Sequence, residues 1–234
     1  MLVYLSPKGP LTGLLQNKKM NSLNEYTKNL RRDFQKTSFD EKDADNNPFK
    51  QFEHWFEESI KSKLIEPNGM MLSTVAKNGK PSSRIVLLRG LKDNGFYFFT
   101  NYTSRKGKEI KQNPNACILF FWPELERQVR IEGKIELAPA KISDEYFSLR
   151  PRQSRIGACA SPQSTVIKGR MELEKLVDAI NAKYEENVPR PKNWGGYILK
   201  PTYYEFWQGR QSRLHDRICY SLKKGKWKKE RLAP

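Results

Sequence analysis

The sequence predicts an α+β fold, an antiparallel β-barrel core with peripheral helices, and three observations predict it. Apolar, strand-like runs follow one another from about residue 69 to residue 138, mostly joined by tight turns, as in an antiparallel sheet closed into a barrel rather than a parallel doubly wound one. Asn78-Gly79 separates two of these runs and is the strongest short hairpin signal in the chain. Helical spacing of apolar residues appears only around this central block.

The opening "MLVYLSPKGPLTGLL" has no basic leading region and is interrupted by Pro7, Gly9 and Pro10, so it makes a poor signal peptide. Residues 1–22 read as a flexible extension, and 23–47 as a polar segment ending in the loop "DEKDADNNP". A single domain then runs from 48 to 234. "PFKQFEHWFEESIKSKL" predicts a helix, with Phe49, Phe52, Trp55, Phe56 and Ile60 at helical spacing and Pro48 in its first turn. His54 falls on its polar side, where a solvent-facing or capping role fits better than chemistry.

The strands are "GMMLSTVA", "PSSRIVLLRGL", "FYFFTNY", "ACILFFWP" and "RQVRIEGKIELA". Between the third and fourth, "SRKGKEIKQNP" predicts a short helix capped by Ser104 and stopped before Pro114. "AKISDEYFSLRP" and "GRMELEKLVDAINAKYEEN" predict two further helices, the latter with Met171, Leu173, Leu176, Val177 and Ile180 apolar. "GGYILKP", "TYYEFWQG" and "LHDRICYSL" return to strand.

The chain has 234 residues, 37% of them hydrophobic, enough for one sizeable core. No apolar run approaches the roughly 18 residues of a membrane span. Cys117, Cys159 and Cys219 are odd in number and far apart, and only two histidines are present, which argues against a disulfide framework and a structural zinc site. A reducing cytoplasm suits such a chain. The net charge of +17 makes a polyanion a partner to consider. Much of the excess lies in "QNKKMNS" and in the tail "KKGKWKKERLAP", which reads as solvated surface.

Gly-rich nucleotide loops, H-E-x-x-H and G-x-S-x-G are all absent from the sequence. What remains is a set of basic clusters inside the chain. In "SRIVLLRG" strand alternation puts Arg84, Val86 and Leu88 on one face and Ile85, Leu87 and Arg89 on the other; two arginines snorkelling from strand ends are the plain alternative. In "FFTNYTSRKGKE" the helix begins at Ser104 with Arg105 and Lys106 in its first turn. Cations there oppose the helix dipole unless an anion is bound. "YFSLRPRQS" sets Tyr146 and Arg150 one helical turn apart with Ser154 beyond, a set that can hold a phosphomonoester or simply end a helix. Arg213, His215 and Arg217 alternate and share a face if "RLHDR" is extended.

Taken in order, these segments resemble the pyridoxine/pyridoxamine 5′-phosphate oxidase family, FMN enzymes of vitamin B6 metabolism. The likeness runs from about Leu30 to Pro234, through "NPFKQFEHWFEE", "SRIVLLRG", "FFTNYTSRKGKE", "RQVRIEG", "YFSLRPRQSRIGA", "SPQS", "WGGYILKP", "EFWQGRQSRLHDR" and "ERLAP". It implies a split β-barrel homodimer with FMN in a cleft between subunits. For FMN it implies Arg84, Ile85, Val86, Leu87, Phe99, Thr100, Arg105, Lys106, Gln128, Gln163, Ser164, Trp207 and Arg217. For substrate it implies Arg31, Arg89, Tyr146, Arg150, Ser154, Arg213, Leu214 and His215, with Arg213 and His215 orienting the reacting group. Arg89 stands where the family often has Lys, and Phe34 where some members have a Tyr that closes over the substrate.

The reaction so implied is oxidation of pyridoxine or pyridoxamine 5′-phosphate to pyridoxal 5′-phosphate, with dioxygen reoxidising the flavin to give hydrogen peroxide. It needs no metal and no membrane. Two rival readings are a split-barrel flavin binder of other purpose and a nucleic-acid-binding barrel that uses Phe120, Phe121 and Trp122. The substrate-side residues weigh against the first, and "ACILFFW" reads more simply as a core strand than as a stacking platform.

Overall fold

Nine strands join in one sheet in which every pairing is antiparallel. The structure, a computed structural model, describes residues 26–28, 30 and 33–234. In chain order the elements are α1 (Pro48–Lys61), β1 (Gly69–Val75), β2 (Pro81–Leu87), β3 (Gly90–Lys92), β4 (Gly95–Asn101), α2 (Arg105–Gln112), β5 (Asn115–Trp122) and β6 (Arg127–Leu137). Then follow α3 (Ala140–Ser148), α4 (Arg152–Ala160), α5 (Arg170–Lys183), β7 (Trp194–Gln208), β8 (Asp216–Lys223) and β9 (Lys226–Arg231).

The main path runs β2-β1-β5-β6-β7-β4-β3, with β8 and β9 added beside β7. Its two end strands are consecutive in the chain, so Leu88 and Arg89 bridge them. Their N–H groups donate to Asn68 and Tyr97 carbonyls, each at 2.8 Å. The sheet therefore curls into a half-barrel, as expected.

Two runs read separately in the sequence, "GGYILKP" and "TYYEFWQG", form one strand, β7. Its first part pairs with β4 through Leu199 and its second part with β8 from Tyr203. Pro201, which has no N–H to give, stands between the two partners and opposite Gly133, where the β6 register shifts.

Alternation sends Met70, Leu72, Phe96, Phe98, Ile118, Phe120, Val129, Ile131 and Phe206 into the core. Helix α1 closes it. Asn47 accepts the Phe49 N–H at 2.9 Å, and the Phe52 ring lies 4.9 Å from Phe96 and 5.0 Å from Phe120. Burying one such phenyl ring is worth about 3 kcal/mol. Ile60, expected in the core, is 53% exposed, because the buried stripe ends on Ser59, whose hydroxyl donates back to the Phe56 carbonyl.

Helix α5 forms as the periodicity predicts but buries no residue, and Met171 is 70% exposed. Helix α4 is absent from the sequence reading: Pro151 ends one helix and starts another. The basic tail is not loose surface. It makes strand β9, and Arg231 reaches Asp40, Glu41 and Asp216 at 3.0, 2.7 and 2.9 Å.

Packing divides the chain at Asp33/Phe34. In the first unit a helical turn covers 26–28, with the Leu30 N–H on the Tyr26 carbonyl at 3.0 Å. The 1–22 extension and Arg31 lie outside the described residues.

Candidate active site

The first cluster grows from the junction of β4 and α2. Ser104 caps the helix, its hydroxyl accepting the Gly107 N–H at 3.3 Å. Only glycine fits there, since a Cβ at 107 would come within 2.2 Å of the Tyr102 carbonyl oxygen. This close seat turns Lys106 inward to 9% exposure. Its ammonium donates to Gln163 Oε1 at 2.8 Å and Thr100 Oγ1 at 3.2 Å, both neutral. Burial first, and Arg84 second, push the Lys106 pKa down.

Arg84 reaches the same place from β2, donating to the Leu72 carbonyl at 3.1 Å and Thr74 Oγ1 at 2.6 Å, with its Nη2 3.4 Å from the Glu109 carboxylate. Arg105 does not join them. Its guanidinium turns to Glu109, one helical turn on, at 2.8 Å. Glu109 also accepts from Thr74 and Ser82, at 2.5 and 2.7 Å. Burial by itself raises this carboxyl, but those hydroxyls and Arg105 outweigh it and hold the pKa at about 2.

A cavity of about 540 Å³ opens on this cluster, within the usual range for small-ligand sites. Its lining combines Arg84–Leu87, Arg89, Phe99, Thr100, Lys106 and Gln163 with Tyr146, Arg150, Ser154 and Trp194. The Pro151 break lets α3 supply Tyr146 and α4 supply Ser154 around Arg150. Phe99 stacks on Tyr146 at 3.9 Å, and the Arg150 guanidinium lies 4.7 Å from the Trp194 ring. Arg150 Nη1 is buried without a hydrogen-bond partner, and burial lowers its pKa. A buried ammonium with neutral partners and a guanidinium with one buried, unpartnered nitrogen, beside stacked aromatics, suit ligands that carry a phosphate on a planar ring.

The second cluster occupies β6, β7 and β8. Gln128, Trp207 and Arg217 form one cross-strand row. Two residues along β7, Glu205 is 3% exposed and takes Arg130 at 2.6 Å and Arg217 at 2.9 Å. The segment before β8 is not extended as expected. Gln211–Arg213 is a short 3₁₀ turn, with Ser212 and Arg213 at φ 54° and 62°, so Arg213, His215 and Arg217 do not alternate along one strand.

His215 lies 4.6 Å from the Trp207 ring, and Phe34 meets both rings edge-on at 5.5–5.6 Å. Glu126 anchors this stretch by accepting the Gln35 and Lys36 N–H groups at 2.9 and 3.0 Å. Leu214 and Phe34 line a second cavity, of about 570 Å³.

Of the expected site residues, Arg105, Gln128, Ser164, Trp207, Arg213, Leu214, His215 and Arg217 do not line the first cavity. Ser164 lies exposed in the loop beside Gln163, at φ 69°. The sequence reading missed the buried acids Glu109 and Glu205. Their only signal is spacing, i+4 from Arg105 for Glu109 and strand alternation with Trp207 for Glu205. Among the described residues there is no group of acidic, histidine or cysteine side chains able to hold a metal, and no helix long and apolar enough to cross a membrane.

Residues 56–184 match the family described as pyridoxamine 5′-phosphate oxidase, and residues 194–234 match the pyridoxine 5′-phosphate oxidase C-terminal dimerisation region. A pyridoxine/pyridoxamine 5′-phosphate oxidase of Actinobacillus pleuropneumoniae serotype 3 (strain JL03) is 55% identical over 88% of this chain and 98% of its own. One from Cyanothece sp. (strain PCC 7425 / ATCC 29141) is 52% identical over 88% and 97%. Among solved structures, PhzG from Burkholderia lata 383, in complex with tetrahydrophenazine-1-carboxylic acid, superposes with a TM-score of 0.81 at 29% identity, covering 86% of this chain and 99% of its own.

Proposed function

The chain belongs to the pyridoxamine 5′-phosphate oxidase family, and from that premise we propose how its two clusters divide the work. It is an oxidase that converts pyridoxine or pyridoxamine 5′-phosphate to pyridoxal 5′-phosphate, and it works as a homodimer through its C-terminal region. Its cofactor is a flavin, which we take to be FMN. The observation that carries the reading is the buried Lys106, which has only neutral partners, across one cavity from Arg150 with its unpartnered Nη1. Two separated cationic seats fit two phosphates, one on the cofactor and one on the substrate.

In this reading Lys106 and Arg84 hold the cofactor phosphate, assisted by Thr100 and the Gln163 amide. Ile85–Leu87, which line the cavity, would border the cofactor ring. Tyr146, Arg150 and Ser154 hold the substrate phosphate, and Arg89 adds charge between the two seats. FMN, when bound, supplies the acceptor for the two electrons leaving carbon 4′, and dioxygen restores it with release of hydrogen peroxide. The protein would supply orientation and electrostatics: its cations would neutralise both phosphates, and the aromatic residues lining the cavity would limit access of water.

Gln128, Trp207 and Arg217, with Arg213 and His215, belong in this proposal to the same site, brought in by a second copy of the chain. Each dimer then holds two composite sites.

The test is the visible spectrum of the purified protein, followed by addition of pyridoxine 5′-phosphate without oxygen. Flavin bands that bleach support cofactor and reaction together. Bands that persist remove the reaction and keep the cofactor, and a colourless protein that FMN does not reconstitute overturns the proposal.

A further inference from the structure

His215 is one of only two histidines in the chain, and the turn that carries it fixes which ring nitrogen holds the proton. The main-chain N–H of Arg210 donates to His215 Nδ1 at 3.1 Å. A peptide N–H does not give up its proton, so Nδ1 must present its lone pair and the neutral ring carries hydrogen on Nε2. Adding a proton to Nδ1 sets two donors against each other.

The charges facing the ring act in the same sense. Burial comes first in lowering the His215 pKa, Arg213 and Arg217 follow, and Asp216 offsets them only in part. The Asp216 carboxylate is engaged elsewhere. Its Oδ2 accepts the Phe39 N–H at 3.0 Å and Arg210 Nη1 at 3.2 Å, and its Oδ1 accepts Arg231 Nη1 at 2.9 Å. Arg210 is thus clamped twice, by its guanidinium on Asp216 and by its amide on His215. From β7 and from the segment before α1 the ring meets only Trp207 and Phe34, neither of which titrates. Among the described residues Nε2 makes no hydrogen bond, so that donor remains available.

We propose that His215 serves as a neutral hydrogen-bond donor through Nε2–H rather than as a proton acceptor, with the Arg210 amide and Asp216 as the positioning groups that set this tautomer. The proposal rests on the functional reading only for what the donor faces, the oxygen or nitrogen on carbon 4′ of the substrate. The tautomer itself is independent of it.

The experiment uses ¹⁵N-labelled holoprotein carrying His54→Gln, so that one histidine remains, and records two-bond ¹H–¹⁵N spectra from about pH 5 to pH 8. The expected result is an unprotonated Nδ1 and a protonated Nε2, with Asp216→Asn mixing the two tautomers. Turnover supplies a second readout. His215→Gln places an amide N–H near the Nε2 position, whereas His215→Asn places one near Nδ1. The Asn variant should lose about 100-fold in kcat and the Gln variant about tenfold or less.

A proton on Nδ1, a doubly protonated ring at neutral pH, or equal losses in the two variants overturns the proposal. An unchanged tautomer in Asp216→Asn removes Asp216 from it. A holoprotein with the expected tautomer that oxidises neither substrate overturns the functional reading and leaves the tautomer standing.

Discussion

The cavity around Lys106 and the row on β6, β7 and β8 differ in how completely their cations are answered: in the first, Glu109 takes Arg84 and Arg105 but not Lys106 or Arg150. Lys106 is buried against neutral partners and Arg150 Nη1 is buried with none, whereas Arg217 and Arg130 share Glu205, and Arg210 and Arg231 share Asp216. Desolvating a cation without a counter-charge is unfavourable in the empty protein, so the first region stores a demand for an anion. Arg130, Arg217, Arg210 and Arg231 in the second region are already answered from within, which makes it a scaffold that aims side chains. The difference separates residues that bind by charge from residues that bind by position.

The sharpest way to break this contrast is Lys106→Met. FMN affinity should fall about 100-fold, in line with losing a strong charge-assisted contact, while the apoprotein melts no lower than the parent. Flavin fluorescence titration and a melting curve decide it; an apoprotein that loses stability would mean that Lys106 is structural. Arg150→Met should lower kcat/KM for the phosphorylated substrate about 30-fold, chiefly through KM, with FMN binding unchanged. An equal loss of FMN affinity would merge the two seats into one.

The second region should answer in stability instead. Glu205→Gln leaves Arg130 and Arg217 without their shared acid and should cost about 2 kcal/mol in a urea melt, less than a fully buried pair because both arginines are partly in water. No change in the midpoint would remove Glu205 as the organiser of that row.

Acid provides a smaller test. The Glu109 carboxyl is held down, at about 2 in the folded protein. It therefore contributes stability above its unfolded value near 4.3, and that contribution fades as pH falls toward 2. Because its Arg105 partner is mostly in water, this amounts to about 1 kcal/mol, and Glu109→Gln should flatten that part of the acid melting profile. The least effect is expected from Gly209→Ala. The new Cβ would meet the Phe34 ring at 2.7 Å, so the ring should shift off Trp207 at a cost of about 0.5 kcal/mol. A changed tryptophan emission would report it.

Much of the fold was legible because its signals are local. Asn78-Gly79 marks the β1–β2 turn, Ser104 caps α2, and Pro48 opens α1. Where the sequence reading failed, tertiary context had overridden a local rule. A new helix started at Pro151 directly after one had ended, and Pro201 lay inside a strand because β7 changes partner there. The extended reading of "RLHDR" failed on two left-handed residues, Ser212 and Arg213, neither of them glycine, so no residue type announced the turn.

Sequence alone determined the strand and helix periodicities, the cationic clusters and the family likeness, because side-chain chemistry and short-range spacing are written directly in residue order. It could not determine which cations remain unanswered. Arg105 and Lys106 are neighbours of like charge, yet the helix turns one toward Glu109 and the other into the cavity. That outcome depends on which face of α2 meets the sheet, and such packing exists only once residues distant in the chain have been brought together.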